Sequence, residues 1–126
     1  MSVLYDLKNT NRFIRGVKEC LDEEGVFILE HADLYSIIKN NLFDTICHEH
    51  LEYYSSKVII DMMDFNGLKV FNHEFNNING GSSRYYICHQ KAKYKTKKKK
   101  STNYYHKKVK LDFIHQRFSK YFLPKF

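Results

Sequence analysis

Acid and base are segregated along this chain. Residues 1–89 hold 8 Lys and Arg against 13 Asp and Glu, a net charge of −5, whereas residues 90–126 hold 13 against 1, a net charge of +12. Lys97 to Lys100 stand in a row, and the second segment offers no apolar periodicity before about Val109. Like charges at that density repel one another and favour a solvated chain. The packed core is therefore expected within residues 1–89. Residues 90–126 are expected to be a basic low-complexity tail, disordered or carrying a short helix through Val109, Leu111, Phe113, Ile114, Phe118, Tyr121 and Phe122.

Hydrophobic residues make up 43% of the 126 and aromatics 16%, too apolar for a wholly disordered protein. A chain of this length is about one domain and buries roughly two thirds of its unfolded surface. No run approaches the ~18 apolar residues of a membrane span, and the start lacks the basic and apolar regions of a signal peptide. The expected location is cytoplasmic, with no membrane partner. Cys20, Cys47 and Cys88 are odd in number and show no CxxC spacing, which argues against a disulfide framework and against a cysteine-rich zinc module.

Within the acidic segment the elements follow one another clearly. "NTNRFIRGVKECLDEEG" places Phe13, Ile14, Val17, Cys20 and Leu21 on one helical face, with Asn or Thr to cap the start and Gly25 to end it. "GVFILEH" is apolar from Val26 to Leu29 without alternation, the pattern of a strand covered on both faces as in a parallel sheet. "DLYSIIKNNLF" reads as a short helix. "SSKVIIDMMDFNG" resumes helical spacing through Val58, Ile59, Met62, Met63 and Phe65, with Ser55 or Ser56 as cap and Gly67 as stop. "LKVFNHEF" and "SRYYICH" read as two strands joined by the hairpin residues "NNINGG". With a first strand in "SVLYDL", the order is β-α-β-α-loop-α-β-β, an α/β chain with an antiparallel ending. Met62 and Met63 are expected in the core, and Cys20 and Cys88 as small buried apolar groups. Gly80 and Gly81 fit either an anion-binding nest beside Arg84 or a plain hairpin turn.

Between the second and third helices lies "NNLFDTICHEHLEYYS", where Cys47, His48, Glu49 and His50 are consecutive. On an extended loop His48 and His50 point to opposite sides, so one ion would need a bend to reach both. His31, His73 and His89 could add ligands, but no spacing matches a ligand signature such as HExxH, and no metal is expected. An acid–base role suits these residues better, because a histidine titrates near neutrality and a neighbouring carboxylate can orient it. Polar loop residues bonded to backbone would look the same. Residue chemistry alone leaves the two open.

"FDTICHEHLEYYS", "GLKVFNHE" and "NGGSSRYYICH", in that order, resemble the sugar C-methyltransferase family, S-adenosylmethionine-dependent enzymes that methylate a carbon of a keto-deoxy nucleotide sugar. The family's loop typically reads FDTIYHEHxSYYS, and its final strand pair carries HGGSxR. "SVLYDLKNTNRFIRGVKECLDEEGVFILE" is similar to the family's NVLxHIxDLNxFxxGVKxLLxxxGVFVxE, so the resemblance covers residues 2 to about 89. It implies a truncated doubly wound, Rossmann-like sheet ending in an antiparallel strand pair. The implied chemistry is removal of the hydrogen next to the sugar ketone, followed by attack of the enolate on the sulfonium methyl. The family's Glu and second His match Glu49 and His50, with His50 the implied base, Glu49 its partner or a substrate ligand, His48 beside them and Arg84 a substrate-binding residue. Cys47, Asp6 and Asn79 stand where the family has Tyr, His and His.

The methyl-donor site of the family lies mostly before this region, in a glycine-rich turn after the first strand, and this chain carries no GxGxxG or similar pattern. Donor binding by the chain alone is expected to be weak or absent, leaving a fragment inactive by itself. A missing N-terminal half is one implied partner. The other is a second copy, since an unpaired apolar sheet edge promotes self-association. For the tail two accounts compete. Its lysines, with Tyr94, Tyr104 and Tyr105, could bind nucleic acid and make the chain a small basic nucleic-acid-binding protein. Alternatively, a tail rich in Lys, Asn, Tyr, Ile and Phe reflects A/T-rich codons and has no selected role. Fluorescence anisotropy with single-stranded DNA separates them: tail-borne affinity falls steeply with salt and vanishes when Lys97 to Lys100 become Gln, and affinity that survives the exchange lies elsewhere.

Overall fold

The structure is a computed structural model that describes residues 4–42, 44 and 50–96. Helix α1 spans Thr10–Cys20, strand β1 Phe27–Ala32, helix α2 Leu34–Lys39, helix α3 Ser56–Phe65, strand β2 Leu68–Asn76 and strand β3 Ser82–His89. The three strands form one sheet in the order β1-β3-β2, both pairings antiparallel. β1 and β2 thus run parallel to each other with β3 reversed between them.

Each helix begins where a side chain satisfies a free amide. The Asn9 carboxamide accepts from Arg12 N at 3.0 Å, Asp33 from Ser36 N at 3.2 Å, and Ser55 Oγ from Val58 N at 3.4 Å. α3 ends at Asn66, followed by Gly67 with φ +77°. α1 ends differently from expectation. It stops at Cys20, where Leu21 turns extended so that its side chain reaches the core, and His89 Nε2 donates to the Leu21 carbonyl at 2.9 Å. Gly25 instead closes a short turn onto Asp22.

The core lies on one face of the sheet. Leu29, Tyr85, Ile87 and Leu68 meet Ile14 of α1, Ile59 and Met63 of α3, and also Leu4 and Tyr54. Met62 packs against this cluster, as its helical position implied. Two side-chain bridges lock the helices: Asn66 Nδ2 donates to Asn11 Oδ1 at 2.9 Å, and the Thr10 and Tyr54 hydroxyls lie 2.9 Å apart.

Two expectations for the sheet need correction. "SVLYDL" does not supply a strand among the described residues, because Leu4–Asp6 is a 3-10 turn whose Leu4 is fully buried. Without a strand partner, such a segment satisfies its backbone better by local bonds. Nor is β1 covered on both faces. Leu29 is buried while Ile28 is 54% exposed, since α1 and α3 occupy one face only and the neighbour of β1 is antiparallel. The hairpin expected between β2 and β3 is present. It closes through a 3-10 turn at Ile78–Gly80 and a glycine pair at positive φ, with a bulge between Val70 and Asn72 that leaves Phe71 as the extra residue.

The opposite face is covered in part by the chain beyond β3. Lys69 Nζ donates to the Ala92 carbonyl at 2.7 Å, and Tyr94 stacks on Phe71 with ring centroids 4.7 Å apart. Packing therefore continues past His89 to Tyr94. Cys88 is buried there, whereas Cys20, expected to be buried, is exposed because it falls on the outer flank of α1. The Lys97–Lys100 run and the helix expected around residues 109–122 lie outside the described residues. If the core rests on α3 as described, Ile59→Ala should cost about 3 kcal/mol in a urea melt with unchanged slope, and the half-exposed Val58→Ala within about 0.5 kcal/mol.

Candidate functional site

The segment that carries the histidines is anchored at its C-terminal end. The Tyr54 hydroxyl bonds to Thr10 and donates to the Glu52 carboxylate, Ser55 caps α3, and the Tyr85 hydroxyl donates to Ser56 Oγ at 2.8 Å. The chain from Tyr54 to Ser56 is thereby fastened to α1, to α3 and to the central strand. Burial, and then the bond to Glu52, push the Tyr54 hydroxyl up to about 12. His50 is half-buried, with the Tyr53 ring edge-on at 6.1 Å. His48 and Glu49 lie outside the described residues, as does Cys47.

Beneath that anchor the three strands contribute one ring each. His73 of β2 stands directly opposite Tyr85 of β3 and stacks on it with centroids 4.7 Å apart and planes at 11°. His31 of β1, diagonal to Tyr85 in the register, stacks at 5.5 Å and 17°. Parallel rings across adjacent strands are a favourable cross-strand arrangement. His31 Nδ1 lies 2.7 Å from the Ala32 carbonyl, which can only accept, so this nitrogen carries the proton. Tyr85 and His31 are almost wholly buried, and His73 is half-buried. Next to the stack, fully buried Asp33 accepts from Ser36 N and Oγ and from Ser83 Oγ at 3.4 Å.

The geometry sorts the sequence candidates. Arg84 lies on the other face of the sheet from the ring stack, paired with Glu30 at 2.7 Å, and Asn76 Nδ2 donates to the same carboxylate at 3.0 Å. Those two bonds, Asn76 first, hold the Glu30 carboxyl below the usual range. Glu74, the cross-strand neighbour of Arg84, accepts from the Tyr86 hydroxyl at 2.9 Å. The glycine pair is a packed turn. A Cβ at Gly81 would come within 2.6 Å of Ser36, one at Gly80 within 2.4 Å of Leu42, and the Gly80 and Gly81 carbonyls accept from Asn40 and Asp33. Among the described residues no three His, Cys, Asp or Glu side chains gather as metal ligands. Tyr85 is the residue that sequence reasoning passes over. Its place in the alternation Ser83, Tyr85, Ile87 puts it on the core face, and that alternation is readable in "SRYYICH".

No family model matches the chain. Over 76 residues it is 33% identical to the C-methyltransferase NovU of Streptomyces niveus, an alignment that covers 60% of this chain and 18% of that protein. The chain is related to a methyltransferase. It spans about a fifth of the length of the curated relative that it matches.

The raised Tyr54 hydroxyl carries a pH signature. Below pH ~10 tyrosine is neutral folded and unfolded alike, whereas between about 10 and 12 the unfolded chain loses the proton first, so the stability from Tyr54 is lost as pH rises through that window. Urea melts at pH 9, 10 and 11 should show the stability difference between the wild type and Tyr54→Phe shrinking as pH rises.

Proposed function

We propose that this chain is the acceptor-side part of a C-methyltransferase catalytic region, acting on a carbon next to the ketone of a keto-deoxy nucleotide sugar. The observation that carries the reading is the match of "FDTICHEHLEYYS" and "NGGSSRYYICH" to the sugar C-methyltransferase pattern, combined with a fold in which Ser56, the residue directly after the first motif, accepts a hydrogen bond from Tyr85 of the strand that the second motif forms. The mutually parallel β1 and β2 with a reversed strand between them are compatible with the end of a doubly wound sheet, where an antiparallel strand on an otherwise parallel sheet is common.

In this reading His50 is the base that removes the proton, Glu49 orients it or binds the sugar, and His48 lines the same loop. A positioned base of this kind contributes roughly 10²–10⁴-fold. The anchor at Tyr54–Ser56, four residues past His50, shortens the span over which the base can move, which matters because the reacting atoms must be held within about 3.5 Å. Arg84 acts as a substrate ligand only on leaving Glu30.

S-adenosylmethionine supplies the methyl group in the implied chemistry, but the described residues do not fit it. Their one direct strand-to-helix turn, Ala32–Asp33–Leu34, contains no glycine and opens a helix of six residues. Its first-turn amide, Ser36 N, is already taken by Asp33. Donor binding is accordingly assigned to residues other than those described.

The proton-removal half of the reaction needs no methyl donor. Incubating the chain in D₂O with a 4-keto-6-deoxy nucleotide sugar and following the α-hydrogen by NMR should show catalysed exchange, reduced at least ~100-fold in His50→Gln. Calorimetry should give heat with the sugar nucleotide and none with S-adenosylmethionine. Exchange no faster than in buffer, or unaffected by His50→Gln, sinks the assignment of the base.

A further inference from the structure

The Tyr54 ring belongs to the core, where a phenylalanine would fill the same space. Its hydroxyl is what sets it apart. It bonds to two groups at once: Thr10, the first residue of α1, at 2.9 Å, and the Glu52 carboxylate. A carboxylate can only accept, so the one phenol proton goes to Glu52, and Thr10 donates to the phenol oxygen. The direction of the chain of bonds is thereby fixed. Burial, and then Glu52, push the phenol up to about 12, so it stays a donor throughout the neutral range.

A buried tyrosine needs one partner for its hydroxyl, and Thr10 by itself would serve. The second bond does something more. It draws the side chain of Glu52, an exposed residue, onto a core side chain two positions later through a charge-assisted contact. Tyr53 lies between these two tied residues. Its ring meets the His50 imidazole edge-on, with centroids 6.1 Å apart and planes at 73°. Both chain neighbours of Tyr53 are therefore joined to each other and to α1, while its own ring rests against His50.

We infer that Tyr54 is a positioning residue for the proton-removing base: its hydroxyl joins Glu52 to the start of α1 and so holds Tyr53, whose ring sets the orientation of the His50 imidazole. The inference rests on the reading of His50 as the base. Tyr54 and Glu52 act through His50 and need no contact with substrate. What Glu52 supplies is an acceptor for the phenol, a task that does not call for its charge.

Variants of the full chain separate this role from packing. Tyr54→Phe keeps the ring and removes the hydroxyl. Deuterium exchange at the α-hydrogen of the 4-keto-6-deoxy nucleotide sugar should fall roughly 10- to 100-fold in kcat with KM unchanged, and nuclear Overhauser contacts between the His50 and Tyr53 rings should weaken. Thr10→Val, at a half-buried position, leaves the phenol bonded to Glu52 and should lose less. Glu52→Ala should match Tyr54→Phe, whereas Glu52→Gln, whose amide oxygen still accepts from the phenol, should regain most of the rate. This pair, at an exposed residue, carries the test even if Tyr54→Phe does not fold. Ring contacts that persist in Tyr54→Phe, or that are lost with kcat intact, overturn the inference and leave His50 as the base. A loss seen in KM alone, or no recovery in Glu52→Gln, overturns it as well. A wild type that catalyses no exchange removes the base itself, and the inference with it.

Discussion

The Tyr85 side chain is the point on which the other elements depend. Its ring is held between His31 and His73 from the strands on either side, and its hydroxyl reaches Ser56 at the start of α3. One residue of the central strand therefore touches both flanking strands and the first residue of the third helix. The ring is wholly buried. A buried phenol needs a partner for its hydroxyl, and Ser56 meets that need at the moment the chain turns into the helix. Losing the ring would remove the stacking surface of both histidines and the bond to Ser56 together.

Chemistry is divided between the two faces of the sheet for the same reason. The face that carries α1 and α3 holds the rings, the buried Asp33 with its serines and the anchored Tyr54–Ser56 segment. The other face holds the Glu30–Arg84 pair, the Tyr86–Glu74 bond and the Phe71–Tyr94 stack. Strand alternation makes that division unavoidable, because neighbouring residues such as Arg84 and Tyr85 must point opposite ways.

Of the described residues beyond β3, Ala92 to Tyr94 form a short clasp on the acidic part. That clasp covers Cys88 and keeps the sheet's second face from being open along its whole length. At β1 no such cover is present among the described residues. β2 carries a bulge and Lys69, whereas Phe27–Ala32 carries neither, a contrast that follows directly from which residues each strand contributes.

How much of this was legible in the sequence depended on range. Asn9, Asp33 and Ser55 as caps, the helices that follow them, Gly67 as a stop and the glycine turn between β2 and β3 were all readable, because each is decided by residues within about four positions. The charge split was equally plain, and so were the motifs that tie the chain to a methyltransferase. Pairing was not. That β1 lies beside a reversed strand with one face uncovered, that "SVLYDL" forms a turn over the core, that Arg84 is held by a residue 54 positions earlier and that His31 and His73 close on one tyrosine all depend on groups distant in the chain. Local propensity sets each element's conformation, whereas strand order, register and side-chain partners are chosen by the packing free energy of the assembled sheet, which no short window of residues contains.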